Sequence, residues 1–180
     1  MIRKIIQKVV FLIACLLFVM PVGAQADWKT HYPDLQEVGT GILKIFFMDI
    51  YSLTLHSRER NYKVSDHFAL EFNYKKSVSK ETIVDASIDE LSKAPSVNSL
   101  ETEAWRQILE KSISDMQAGE KASVVFSKSG NVEFWSENRE PISFQDLKFA
   151  KSFAAIWLGP KTSYPKLRLA LLGKNSQNNQ

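Results

Sequence analysis

Residues 67–75 read HFALEFNYK, and this stretch decides the fold class. Aromatic and aliphatic side chains occupy every second position from Phe68 to Tyr74, and smaller or polar residues occupy the positions between them. A period of two is that of a β-strand with one buried face. The stretch therefore predicts a strand that covers a hydrophobic core with one of its faces.

The segment before it, residues 38–56, is rich in Ile, Phe, Leu and Tyr and is too long for one ordinary strand. We predict two strands, or one long bent strand, split near Met48-Asp49. Residues 42–48 are apolar at both odd and even positions, which predicts burial on both faces of the strand. From Tyr51 onward the pattern alternates and predicts a single buried face.

Further along the chain, residues 124–126 and 132–135 flank Ser129-Gly130-Asn131 and predict a hairpin. Residues 28–35 read as an extended lead-in. Helical spacing and capping residues predict four helices: Ser79 to about Lys93, Ser99 towards Gly119, a third capped at Ser143 and ended by Gly159, and Tyr164 to Leu172. Trp157 shares a stripe with Phe149 and Phe153 on the third helix, so we expect it to be buried.

Strands, then helices, a hairpin and more helices do not form an alternating β–α order. This order favours an α+β fold, with an antiparallel sheet and helices packed on one face.

The first 26 residues have the pattern of a secretory signal peptide. Arg3, Lys4 and Lys8 precede an apolar run from Val9 to Met20, and Ala24-Gln25-Ala26 fits the cleavage rule. We therefore predict a cleaved leader (1–26), a domain (27–173), a polar tail (174–180) and a periplasmic location. Two alternatives are an uncleaved anchor and lipidation at Cys15, although the apolar run continues past that cysteine.

Removal of the leader changes the charge balance. The whole chain has 23 basic and 20 acidic side chains, and the three basic residues of the leader account for the excess. The 154 residues that remain have no net charge and no cysteine, so we expect no nucleic-acid partner, no disulfide and no membrane span after cleavage. Their length suits one domain.

The motifs of phosphate loops, dinucleotide folds, serine hydrolases and zinc enzymes are absent. The three histidines do not have the spacing of metal ligands, so we predict no metal and no cofactor. The chain is instead rich in large aromatic side chains, 11% of its residues. Most of these belong to a core, but they also predict an apolar cleft between the sheet and the helices.

Residues 149–173 read FAKSFAAIWLGPKTSYPKLRLALLG. This segment resembles the closing motif of bacterial chalcone isomerase-like proteins, and the stretches 38–55, 68–87 and 116–135 agree with the family in order. The resemblance implies an open-faced β-sandwich, a curved antiparallel sheet with helices packed on one face. It also implies one of two activities, flavanone ring closure or, in sibling proteins, fatty-acid binding.

The resemblance implies that ring closure depends on a strand arginine and a catalytic tyrosine. Here Val78 stands in the natural register of the tyrosine and cannot donate a hydrogen bond. The strands of residues 38–56 hold no arginine, and Lys44 is their only cation. On one regular strand Lys44 and Tyr51 would face opposite sides, so they share a pocket only through a bulge.

We therefore expect a non-catalytic protein with no catalytic residue, which binds a fatty acid or another apolar small molecule. The predicted ligand-binding residues are Lys44, Tyr51, Tyr74 and Trp105. Two alternatives are an isomerase or lyase of the chalcone isomerase type and a ligand-free structural or partner-binding module.

The leader gives the first testable prediction. Because the cleavage rule places the cut after Ala26, N-terminal sequencing of the exported protein should begin at Asp27. A sequence that starts at Met1, or a lipid attached to Cys15, would contradict this.

Overall fold

Six antiparallel strands form one sheet whose spatial order is the order of the chain, β1-β2-β3-β4-β5-β6. The computed structural model describes residues 27–63, 65–137 and 139–174. Its strands are β1 (Gln36–Ile45), β2 (Met48–Ser57), β3 (His67–Tyr74), β4 (Lys121–Ser127), β5 (Asn131–Ser136) and β6 (Ile142–Gln145). Its helices are α1 (Trp28–His31), α2 (Lys80–Ser92), α3 (Ser99–Ser112), α4 (Leu147–Leu158) and α5 (Pro165–Leu171). The predicted leader and residues 175–180 of the predicted tail lie outside the described residues.

The alternating side chains of β3 bury one face of the strand, as predicted. Leu70, Phe72 and Tyr74 are buried on the face that the larger helices cover. The predicted architecture, an α+β fold with an antiparallel sheet and helices on one face, is confirmed. No helix of the described residues is long and apolar enough to cross a bilayer.

The starts of α2 and α3 agree with the prediction, and that of α4 does not. The Ser79 side chain accepts the Thr82 N–H at the start of α2. Asn98 and Glu101 form a capping box before Ser99, where the second helix was expected to begin. The third helix begins later than predicted, because Asp146, not Ser143, accepts the N–H of Phe149 and caps α4. The residues before it pair with β5 as the short strand β6.

Two other expectations about local structure are wrong. Residues 28–31 form one turn of helix, capped by Asp27, instead of extended chain. Helix α3 ends at Ser112, whereas the helix was predicted to run on towards Gly119. Met116 instead forms an isolated bridge with Val78, and Gly119 adopts a left-handed conformation in the turn before β4. The backbone of Met116 therefore pairs with Val78 and does not continue the helix.

The segment 38–56 folds as two strands, but the turn lies at Phe46-Phe47, before the predicted split. The predicted burial of residues 42–48 on both faces is wrong, because these two phenylalanines are 90% and 98% exposed. Strand β2 pairs with β3 only as far as Tyr51, so the turn extends past the end of its neighbouring strand.

Helix α1 covers part of the face of the sheet opposite the larger helices. Trp28 packs with Ala69, Val125 and Trp135 in a small second core. The Trp28 ring also meets the ring of His56 edge-on, with 5.0 Å between centroids. The His56 Nε2 atom is buried and has no hydrogen-bond partner among the described residues.

The buried imidazole predicts a pH-dependent stability. Burial lowers the pKa of His56 below its ordinary value of 6.5. As the pH falls through that value, the unfolded chain takes up the proton before the folded chain does, so the free energy of unfolding decreases. Thermal melts at about pH 7.5 and about pH 5.5 should show this loss.

His56→Phe keeps a ring against Trp28 and removes the titrating group, so it should reduce the difference between the two melts. His31→Gln, at an exposed histidine, is the control and should leave it unchanged. An equal difference in the wild type and His56→Phe would show that another group causes the pH dependence.

Candidate functional site

A cavity of about 160 Å³ lies between the sheet and the helices. Strands β1 to β5 form one wall, and residues of α2 and α4, together with the segment after α3, form the other. The lining is mainly apolar. The hydroxyl and carboxyl groups in it belong to Tyr51, Tyr74, Thr82, Ser87, Glu90, Ser112, Ser114, Ser123, Ser136 and Tyr164.

Tyr51 is held in one orientation by Trp157. It projects from β2 into the cavity, and the Trp157 Nε1–H donates a hydrogen bond of 2.9 Å to its hydroxyl oxygen. Both side chains are buried, and burial raises the pKa of the Tyr51 hydroxyl. The hydroxyl therefore keeps its proton. Because Trp157 uses an acceptor site of this oxygen, the O–H remains available to donate.

Tyr74 lies beside it on β3, in direct register with Tyr51. The two ring centroids are 5.6 Å apart. Burial also raises the pKa of the Tyr74 hydroxyl, which therefore stays protonated. The structure brings together these two of the four predicted ligand-binding residues, because consecutive antiparallel strands place paired side chains on the same face.

Ser112 is a site residue that the sequence pattern does not indicate. It ends α3 and lines the cavity, and its buried hydroxyl has no hydrogen-bond partner among the described residues. A buried hydroxyl without a partner is costly unless a water or ligand satisfies it. In the sequence, Ser112 appears only as a small residue on a helical stripe, and that pattern contains no signal for a binding role.

Glu90 is the charged residue of the described lining, and its carboxylate is already engaged. Its Oε1 accepts from Lys93 Nζ at 2.6 Å and from the Tyr164 hydroxyl at 3.4 Å. Its Oε2 accepts from the Ser163 hydroxyl at 2.8 Å. These contacts join α2 to the segment before α5 and leave the rest of the described lining uncharged.

The structure places Lys44 and Trp105 outside the lining of the cavity. Leu43 and Ile45 face the cavity, so Lys44 between them points away and pairs with Asp49. The strands do have an irregular register at Leu43/Lys44, but this bulge does not turn the lysine inward. Trp105 is buried in the core, where its Nε1–H donates to Asp146 at 3.0 Å and its ring meets Phe149.

Val78 lines the cavity, at the position where the resemblance would have placed a catalytic tyrosine. Its N–H and C=O pair with Met116, at 2.8 and 2.9 Å. Its side chain adds only apolar surface to the wall.

A second, more open groove lies on the opposite face of the sheet, beside α1. It has about 480 Å³ of space, and its lining combines charged residues such as Lys29, Glu71 and Lys121 with Trp28 and Trp135. Glu71 already pairs with both lysines, at 2.7 and 4.0 Å. Although this groove is larger, both of its lysines are already engaged by Glu71, and we assign the site to the apolar cavity. In the described ranges no cluster of His, Cys, Asp or Glu could hold a metal ion.

Comparison with known proteins gives the family and the fold. The family model described as chalcone isomerase-like matches residues 21–173. A solved structure, a fatty-acid binding protein of Arabidopsis thaliana, is similar with a TM-score of 0.60 and 9% sequence identity. The similarity covers 78% of this chain and 87% of that one, and it supports the chalcone isomerase-like fold. No curated protein matches the chain in sequence.

Trp157 gives a prediction about stability. Its ring packs edge-on against Phe72 and Phe153, with centroids 5.2 and 5.3 Å away. Trp157→Ala should lower the free energy of unfolding by roughly 3–5 kcal/mol, as is typical when a buried large aromatic is truncated. Denaturant unfolding would measure this loss.

Trp157→Phe is the matched control, because it keeps a ring and removes the hydrogen bond to Tyr51. Its loss should be smaller, about 1–2 kcal/mol. Trp157→Ala with wild-type stability would show that this ring does not support the core.

Proposed function

We propose that this chain, which belongs to the chalcone isomerase-like family, binds an apolar small molecule in the cavity and does not transform it. The ligand class is a fatty-acid-like molecule or another apolar molecule that ends in a neutral hydrogen-bond acceptor. We also propose that it does so in the periplasm, which the pattern of the leader supports.

The observation that carries the proposal is the Tyr51 hydroxyl. It lies in a mainly apolar chamber, its oxygen is fixed by Trp157, and its proton is not donated to any described residue. Ligand sites typically combine apolar walls with a few fixed polar groups that orient the ligand. The Tyr51 O–H, with Tyr74 and Ser112 nearby in the same lining, fits the carbonyl or hydroxyl end of such a ligand.

The charges of the described lining favour a neutral end group over a carboxylate. The lining contains Glu90 but no lysine or arginine. An ionised carboxylate deep in an apolar chamber would lose its hydration without gaining a cation, which is strongly unfavourable. An ester, a ketone, an alcohol or a protonated fatty acid avoids this cost. A carboxylate fits only near the mouth, where solvent reaches it.

The size of the cavity limits how much ligand is enclosed. A closed apolar cavity of about 150 Å³ holds a molecule such as benzene. A volume of about 160 Å³ therefore encloses a ring or a short piece of acyl chain. A longer chain would extend through the mouth or widen the cavity.

The comparison with the Arabidopsis protein, whose name describes fatty-acid binding, supports the ligand class. The lyase alternative needs a group that activates a phenol and a group that polarises a carbonyl. Val78 supplies neither, and although Tyr51 could polarise a carbonyl, the described lining holds no lysine or arginine to activate a phenol. These features favour binding over catalysis.

Displacement of a neutral apolar dye, N-phenyl-1-naphthylamine, tests the proposal. We expect displacement by medium-chain alcohols and methyl esters, with affinity that rises with chain length until the cavity is filled. Tyr51→Phe should weaken these ligands about three- to tenfold, the effect of losing one neutral hydrogen bond. The same substitution should leave the affinity for an alkane of equal length unchanged.

Tyr62→Phe is the matched control, because Tyr62 is a half-buried tyrosine outside the lining. It should bind every ligand as the wild type does. Absence of dye binding by the folded protein would refute the proposal. Cyclisation of a chalcone above the uncatalysed rate would favour the lyase instead.

A further inference from the structure

The turn between β1 and β2 exposes apolar side chains to an unusual degree. We call residues 45–48 the hairpin tip; it consists of Ile45, Phe46, Phe47 and Met48. The two phenylalanines are almost fully exposed, and the flanking Ile45 and Met48 are about half exposed. Single exposed apolar residues are ordinary, but a contiguous group at one point of a surface marks an interaction site.

The hairpin tip also projects beyond the rest of the sheet. The pairing of β2 with β3 ends at Tyr51 and Tyr74, whereas β1 and β2 stay paired as far as Ile45 and Met48. Three further residues of strand, at about 3.3 Å each, carry the tip roughly 10 Å past the end of β3.

The turn itself does not favour phenylalanine. Ile45 pairs with Met48, so only Phe46 and Phe47 form the loop, and Phe46 has a positive φ of 54°. Two-residue hairpin loops of this kind normally place glycine or asparagine at such a position, and a bulky residue there is strained. Local stability therefore argues against a phenylalanine at position 46, and strained positions of this sort cluster at functional sites.

The hairpin tip borders the cavity. Ile45 at its start and Ile50 just after it both line the cavity, and Ile45 is also 44% exposed, so the cavity reaches the surface beside the tip. Any apolar surface that receives the two phenylalanines therefore comes close to the opening through which a ligand would pass.

Two exposed lysines lie near the tip. Lys75 and Lys76 follow β3, and the Lys75 N–H donates to the Ile50 carbonyl at 2.8 Å. Both lysines are exposed, and neither has an acidic partner within 4.0 Å among the described residues. Lys44 and Asp49, closer to the tip, neutralise each other. An apolar point with lysines behind it matches the interface of a bilayer that contains anionic lipids.

We propose that the hairpin tip inserts into the interface of an anionic lipid bilayer and presents the cavity mouth to the lipids. The tip is too small for a stable protein interface. Two aromatic rings bury about 150–250 Å² each, whereas a standard interface buries about 800 Å² per partner. The identity of a ligand that passes between the bilayer and the cavity rests on the proposed function, but docking on the bilayer does not.

Sedimentation with vesicles of phosphatidylcholine and phosphatidylglycerol tests the docking. The double variant Phe46→Gly, Phe47→Asn should bind at least about tenfold more weakly than the wild type, because both rings are lost. Glycine suits the left-handed position, so the melting temperature of the double variant should equal or exceed that of the wild type. If the rings had a purely structural role, the double variant would melt at a lower temperature than the wild type. All variants carry the same N-terminal segment, so the difference reports on the tip.

Leu100→Ser is the matched control. Leu100 is 82% exposed and lies in the first turn of α3, at the opposite end from the cavity-lining Ser112. This variant should sediment as the wild type does. Lys75→Gln with Lys76→Gln should weaken binding roughly fivefold per lysine, and added salt should have the same direction of effect.

A fluorescence measurement locates the contact directly. The four natural tryptophans are buried, so Phe47→Trp adds an exposed one. Its emission should shift to the blue with vesicles and be quenched by brominated lipids, and that of Leu100→Trp should not. The proposal would be overturned if the double variant bound vesicles as the wild type does. It would also be overturned if the wild type formed a dimer and the double variant did not.

The two proposals can fail separately. Binding of N-phenyl-1-naphthylamine without vesicles should be the same in the wild type and in the double variant. Dye binding without vesicle binding would refute the docking alone. Vesicle binding without dye binding would refute only the ligand-binding function.

Discussion

The layer of aromatic rings between α4 and the sheet is the contact on which the rest of the structure depends. Phe153 packs against Phe126 and Phe134, and Trp157 packs against Phe72. These rings set the distance between the helix and the sheet. The cavity lies beside Phe153 and Trp157, where the layer meets residues from α2 and the segment after α3. Interiors are normally packed without such voids, so the aromatic layer both supports the core and borders the space left for a ligand.

A second constraint fixes the last helix. Gly39 and Gly41 lie on β1 where α5 crosses it, and a Cβ at Gly39 would come within 2.2 Å of the Ala170 carbonyl oxygen. Only a residue without a side chain allows so close an approach. The position of α5 in turn supports the preceding Tyr164, whose hydroxyl contacts Glu90. Two glycines in an edge strand therefore help to determine how one side of the cavity is closed.

The distribution of charge separates the interior of the site from its surroundings. Inside, the described lining offers neutral donors, and its carboxylate is neutralised by Lys93. Outside, Lys75 and Lys76 lie near an exposed apolar turn. An interior without cations suits a ligand with a neutral end, and an exterior with lysines beside aromatic rings suits the lipid phase in which such ligands dissolve. Binding in the cavity and docking at the tip are thus parts of one physical arrangement.

The sequence by itself determined the features that repeat within one element. The period of two in β3, the helix cap at Ser79, the turn at Gly130 and the buried stripe that includes Trp157 were all predicted, because each depends on residues close together in the chain. Tyr51 and Tyr74 were predicted for the same reason, as strand residues on the core face. Only the tertiary structure decided what covers each face. The run around Phe46 reads as core, yet it is exposed because β3 ends before it. Lys44 points outward because its neighbours face the cavity, and the Ser112 hydroxyl lacks a partner because α3 ends where the cavity begins. Periodicity identifies the side chains that share a face, but the neighbour that packs on that face is set by the path of distant segments.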